Sequence, residues 1–194
     1  MIQRIERHLK PPKKPIPSVG TDPGKSAGAM AYVDGLRVVW VLDYVERSKH
    51  YEANGHRYPH AWDALCSAGF VPPGTLWTCE DLKPHPGKTN GFAQLAEAKG
   101  WASAWAMHRG LVIGKAPDPG RWRSDMLDLR SATGAEMLEA AALAAVYDRP
   151  VSGGRHHIHL GLQNVPEGLS GHAAEAILIA LWGAGWRLEP LAVS

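Results

Sequence analysis

The chain has 194 residues, 45% of them hydrophobic, and a formal net charge of +2, so it can bury one sizeable core and reads as a single domain with short extensions. Its two cysteines, Cys66 and Cys79, are too few for a disulfide framework. No run of about 18 apolar residues offers a membrane span, and the opening MIQRIERHLKPPKKP lacks the apolar stretch of a secretory signal, so a reduced cytoplasmic setting away from membranes is expected.

Residues 1–15 carry Arg4, Arg7, Lys10, Lys13 and Lys14 against Glu6 alone, and prolines at 11, 12, 15 and 17 oppose a helix. We read 1–15 as a flexible basic arm, either a solvated tail or a phosphate contact, and 16–194 as the domain. Three strands open it, at 18–22, 27–33 and 36–44, with Asp-Pro-Gly and Asp34-Gly35 as the intervening turns. Residues 45–74 are polar, with a helix over 58–68 ended by Gly69 and Pro72-Pro73-Gly74. A strand at 76–82 (LWTCEDL), a packed helix at 92–109 and a strand at 111–115 follow. The spacing then predicts a Pro/Gly loop over 116–123, an alanine-rich helix over 134–147, mostly irregular chain over 149–169 and a last helix over 170–182. The layout is mixed α/β without an internal repeat.

Three places carry chemistry. Gly20-Thr21-Asp22-Pro23-Gly24-Lys25-Ser26-Ala27-Gly28 sets a carboxylate at a strand end beside glycines, which suits a divalent cation held against a phosphate but also an ordinary turn. Glu80-Asp81 sets two acids at the end of an apolar strand, where a buried carboxylate needs a cation or a donor unless it faces water. His172 and Glu175, spaced i and i+3, share one face at the start of the last helix while Ile177, Leu178, Leu181 and Trp182 supply packing surface. Taken alone, this helix start also reads as Glu175 complementing the helix dipole with His172 exposed to solvent.

In this order, GTDPGKSAG, CEDL, the Pro119 to Trp122 element and the closing HAAEAILIALWG resemble the RuvC-type Holliday junction resolvases, over about residues 20–183. The resemblance implies a ribonuclease H-like α/β fold with a mixed five-stranded sheet flanked by helices. It makes Asp22, Glu80, His172 and Glu175 catalytic metal ligands. Glu80 is preferred to Asp81 on the family's pattern alone, since strand alternation leaves either open. His172 departs from the acid common in that position, and imidazole suits Mn²⁺ better than Mg²⁺. The stretch 82–85, Leu-Lys-Pro-His, lacks the aromatic that many relatives carry after this acid and that is thought to stack near the junction centre.

The activity implied is resolution of four-way DNA junctions. Two Mg²⁺ or Mn²⁺ ions about 3.5–4 Å apart, bridged by Asp22, would activate a water and stabilise the leaving oxygen, leaving 5′ phosphate and 3′ hydroxyl ends. Lys25, Lys83, Lys88, Arg121 and Arg123, read as loop cations, would grip phosphates without sequence readout. A homodimer is implied, with helix 92–109 either the pairing surface or a core helix. Arg155-His156-His157-Ile158-His159 has no neighbouring cysteine, and alternation puts only His157 and His159 together, so it reads as a surface or DNA-facing loop rather than a zinc site. Competing readings are a ribonuclease H-like nuclease for other branched DNA or hybrids, a nucleotide phosphate loop at 20–28, and a junction-binding protein without catalysis.

Overall fold

A computed structural model describes residues 5–24, 26–81, 91–129, 134–150 and 156–189. In chain order the elements are β1 (Ile5–Lys10), β2 (Ser18–Asp22), β3 (Ala27–Asp34), β4 (Arg37–Arg47), β5 (His50–Ala53), β6 (His56–Tyr58), α1 (Ala61–Cys66), β7 (Leu76–Cys79), α2 (Phe92–His108), β8 (Val112–Ile113), α3 (Pro119–Leu127), α4 (Ala135–Val146), β9 (His156–His159), α5 (Gly171–Gly183) and β10 (Arg187–Leu188).

The opening meander runs further than expected. Tight turns at Ser48-Lys49 and Asn54-Gly55 fold the chain back twice more, all four residues having positive φ (47°, 71°, 51° and 73°). That is the backbone of type I′ turns, whose twist matches the flanking strands. The result is a succession of five antiparallel strands, β2 to β6, with α1 confined to Ala61–Cys66 instead of 58–68. β7 pairs parallel with the free edge of β2, and β8 parallel with β7. The mixed sheet therefore has seven strands in the order β6-β5-β4-β3-β2-β7-β8, not five.

Two further expectations are corrected. Within the expected flexible arm, 5–10 forms β1, which pairs parallel with β9 and antiparallel with β10 in a separate three-stranded sheet; β9 itself lies in chain read as irregular. The expected loop 116–123 contains the start of α3, where Pro119 takes the first helical position and Asp118 caps the helix by accepting from Gly120 N at 2.9 Å.

Each face of the large sheet carries its own core, as the two-residue period of β3 requires. Ala29, Ala31 and Val33 point to α5, backed by α3 and α4; Met30 and Tyr32 point to the opposite core with Leu42, Trp77 and Trp105. α5 is buried along nearly its whole circumference, which suits its apolar composition. Each fully buried Leu or Ile on it contributes about 2 kcal/mol of hydrophobic transfer. The helix lies so close to β2 that a Cβ on Gly20 would stand 2.1 Å from Ala176 O, so only glycine allows this approach. No helix among the described residues is long and apolar enough to cross a membrane.

Candidate active site

Parallel pairing of β2 with β7 in the register Thr21↔Cys79 sets the next residues, Asp22 and Glu80, side by side at the carboxyl ends of adjacent strands. α5, seated on β2 by the Gly20 contact, brings its first turns over the same point. Ser170 fixes the start of that helix by accepting from Ala173 N at 3.1 Å. From there His172 Nδ1 meets Asp22 Oδ2 at 2.6 Å. Glu175 lies one turn further on, 5% exposed, and feels the charges of Asp22, Glu80, His172 and Arg123. Asp22, Glu80, His172 and Glu175 thus converge from three elements.

Of the two adjacent acids, Glu80 turns inward and Asp81 outward. The Asp81 carboxylate is 3.5 Å from Lys99 Nζ, whereas Glu80 Oε1 accepts from Trp122 Nε1 at 2.6 Å and lies 3.5 Å from Arg123 Nη2. Trp122 is fully buried beneath the cluster. Sequence reading missed this donor, although Asp118-Pro119 is a helix-start signature that would have put Trp122 and Arg123 on one short helix. Arg123, read as a loop cation, belongs to α3 and is turned toward Glu80, its side chain 21% exposed. Arg121 is also on α3 but 70% exposed, 3.8 Å from Asp125. Lys25, Lys83 and Lys88, and the stretch 82–85 that lacks the stacking aromatic, lie outside the described residues.

The pocket is short of positive charge. Burial pushes the Glu80 carboxyl up to about 7 against the Trp122 hydrogen bond, with Asp22 adding repulsion and Arg123 opposing it. Glu175 is pushed up by burial and then by Asp22, with Arg123 pulling the other way. His172 rises to about 9, first through its hydrogen bond to Asp22 and against its own burial. Burial and the crowding of three carboxyls thus make the charged forms of Glu80 and Glu175 costly, with the Arg123 guanidinium the cation opposing both shifts. Three carboxylates and an imidazole are hard and borderline donors of the kind that hold Mg²⁺ or Mn²⁺, so the residues fit a divalent metal. No three of their ligand atoms lie within 4.8 Å of one another, a wider spread than a single-ion cage.

β2 is followed by β3 and not by a helix, so no helix N-terminus follows Asp22 to receive a nucleotide phosphate. α2 buries only the stripe Ala102, Trp105 and Ala106, leaving its opposite face exposed.

No family model and no curated protein matches the chain. Among solved structures it is similar to T. thermophilus RuvC in complex with a Holliday junction substrate, with a TM-score of 0.53, 18% identity, and coverage of 86% of this chain and 90% of that one. A second Thermus thermophilus RuvC structure is similar at a TM-score of 0.46 and 15% identity, over 86% of this chain and 92% of that one. At such identity the first likeness speaks for the backbone, and with the mixed sheet flanked by helices it shows that this chain has the ribonuclease H-like fold of RuvC.

Proposed function

We propose that the chain is a metal-dependent endodeoxyribonuclease that resolves four-way DNA junctions. The observation that carries this reading is the convergence of Asp22 and Glu80, at the carboxyl ends of two parallel strands, with His172 and Glu175 from the first turns of α5. The fold likeness to a protein solved with a Holliday junction substrate supports the choice of DNA.

When bound, two Mg²⁺ or Mn²⁺ ions would supply an activated water and a Lewis acid for the leaving oxygen. The chain's own residues do the rest. Asp22 would act as a ligand beside His172, to which it is hydrogen-bonded, and that imidazole would have to be neutral to serve as a ligand itself. Glu80 is held by Trp122 through one carboxylate oxygen, leaving the other for a ligand. Glu175, buried at 5% exposure, would supply the fourth ligand. Arg121, with Lys25, Lys83 and Lys88 near the same acids in sequence, grips phosphates in a salt-sensitive way. A homodimer would present two such sites to the two opposed strands of a junction, and the exposed face of α2 is its candidate surface.

The test is incubation of the protein with a labelled immobile four-way junction and, separately, with duplex, in Mg²⁺ or Mn²⁺, beside Asp22→Asn. Paired symmetric nicks in the junction alone, with 5′ phosphate ends and absent in the variant, are expected. Tight junction binding without cleavage in either ion would overturn the catalytic reading in favour of a binding protein. Cleavage of other branched or hybrid substrates in preference to the junction would overturn the substrate.

A further inference from the structure

The small sheet assembles a second set of ligand-type side chains on elements other than those of the carboxylate cluster. In the parallel pair β1 and β9, Glu6 stands opposite His157 and His8 opposite His159. The two-residue period puts these four on one face, while Arg7 on the other face pairs with Asp128 at 2.7 Å. One ligand atom each from Glu6, His157 and His159 lie within 4.8 Å of one another, the only group of three or more such residues to do so among the described residues. The two imidazoles are in contact, ring centroids 3.9 Å apart, and His8 stacks on His159 at 5.1 Å.

A fourth group comes from the end of α4. Asp148 adopts φ 53°, in the left-handed region that asparagine and aspartate tolerate better than most residues. Its Oδ1 is 2.9 Å from His159 Nδ1 and 3.4 Å from His157 Nε2. Yet His157 Nε2 is buried without a hydrogen bond. An orphaned imidazole nitrogen is costly, and here it faces a carboxylate already engaged by a second imidazole. A cation among them would satisfy that nitrogen and both acids at once.

We propose that Glu6, His157 and His159, with Asp148 as fourth ligand or as the carboxylate orienting the imidazoles, bind one zinc-type divalent ion. Two imidazoles with carboxylate oxygens are a zinc donor set, and imidazole favours zinc-like ions over the Mg²⁺ class. The ion would staple β1 to β9 and to the end of α4. That adds to a short parallel pair whose outward residues Glu6, His8 and Lys10 are exposed and whose apolar contacts with the core come from Leu9 and Ile158.

The experiment uses full-length, tag-free protein stripped with a chelator, as wild type and as Asp22→Asn to keep the carboxylate cluster apart. Co²⁺ and Zn²⁺ are the probes. One equivalent of Co²⁺ giving tetrahedral visible bands, displaced by Zn²⁺, is expected in both proteins. Zn²⁺ at about 100 times its Kd should raise Tm by about 5–10 °C. The double substitution His157→Ala, His159→Ala should abolish both effects, and Glu6→Gln should weaken Zn²⁺ about 10-fold or more. Should the double variant not fold, imidazole ¹⁵N shifts of His157 and His159 on adding Zn²⁺ to wild type give the same answer. Absence of tight binding, bands that survive the double substitution, or bands lost in Asp22→Asn would each overturn the proposal. None of these results bears on junction cleavage.

Discussion

Trp122→Phe removes the indole donor to Glu80 while keeping an aromatic ring beneath Arg123, whose guanidinium lies 5.5 Å from the Trp122 ring centroid. The bond is short, 2.6 Å, its donor is fully buried and its acceptor is a carboxylate about nine-tenths buried. A charge-assisted bond of this kind contributes about 2 kcal/mol, and the smaller ring leaves a void costing about 1 more. Together they predict a loss of about 3 kcal/mol, or about 6–12 °C in Tm for a chain of this length. The donor favours ionised Glu80, so its removal raises the Glu80 pKa above about 7. Two consequences separate this from a packing defect. The loss of Tm should be larger at pH 8, where the bond is to a carboxylate, than at pH 5, where it is to a neutral acid worth about 1 kcal/mol. The acidic limb of the pH profile for single-turnover junction cleavage should move to higher pH, since a divalent ion must displace a more tightly held proton. Calorimetry at the two pH values and the cleavage profile test both. Equal losses of Tm at pH 5 and pH 8, with an unmoved acidic limb, would refute the assignment of Trp122 as the residue positioning Glu80.

Other outcomes follow from the same geometry. Glu80 has a folded pKa raised from 4.5 to about 7, so its contribution to stability is present in acid and is lost as pH rises through about 7; the difference is about 3 kcal/mol. His172, raised from 6.5 to about 9, loses its contribution as pH rises through about 9. Chemical denaturation of the metal-free protein should therefore give falling stability from pH 5 to pH 9, and Mn²⁺ should flatten the curve; a metal-free optimum at pH 8 would contradict both shifts. Gly20→Ala would drive a methyl into Ala176 O, 2.1 Å away, and should cost about 3 kcal/mol or more while abolishing cleavage, because α5 cannot stay seated with His172 and Glu175 over Asp22. A Tm unchanged from wild type would show that the helix has room. Arg121→Ala should leave Tm within about 2 °C but lower junction affinity and reduce the salt dependence of binding by about one counterion, measured by titration at several salt concentrations; an unchanged slope would remove Arg121 from the phosphate grip.

Much was legible in the sequence because its signals are local. Period-two alternation marks β2, β3 and β4, the apolar run after Ser170 marks α5, and GTDPG with HAAE sets metal-type side chains at a strand end and a helix start. Two local signals were passed over: Asn54-Gly55, which builds β5 and β6, and Asp118-Pro119, which starts α3. These were readable from turn and cap chemistry. What no local pattern contains is which residues meet across the fold. The choice of Glu80 over Asp81 rests on Lys99 drawing one acid outward while Trp122, from a helix about 40 positions on, receives the other. Arg123 turns inward for the same reason. β1 and β9 are each too short to form alone, and they become strands only because about 150 intervening residues bring them together, which also gives His157 and His159 a third ligand in Glu6. The sequence by itself determined the elements and the kinds of chemistry they carry; the tertiary structure decided which side chains face one another, because contact and burial depend on packing between segments whose spacing along the chain says nothing of their distance in space.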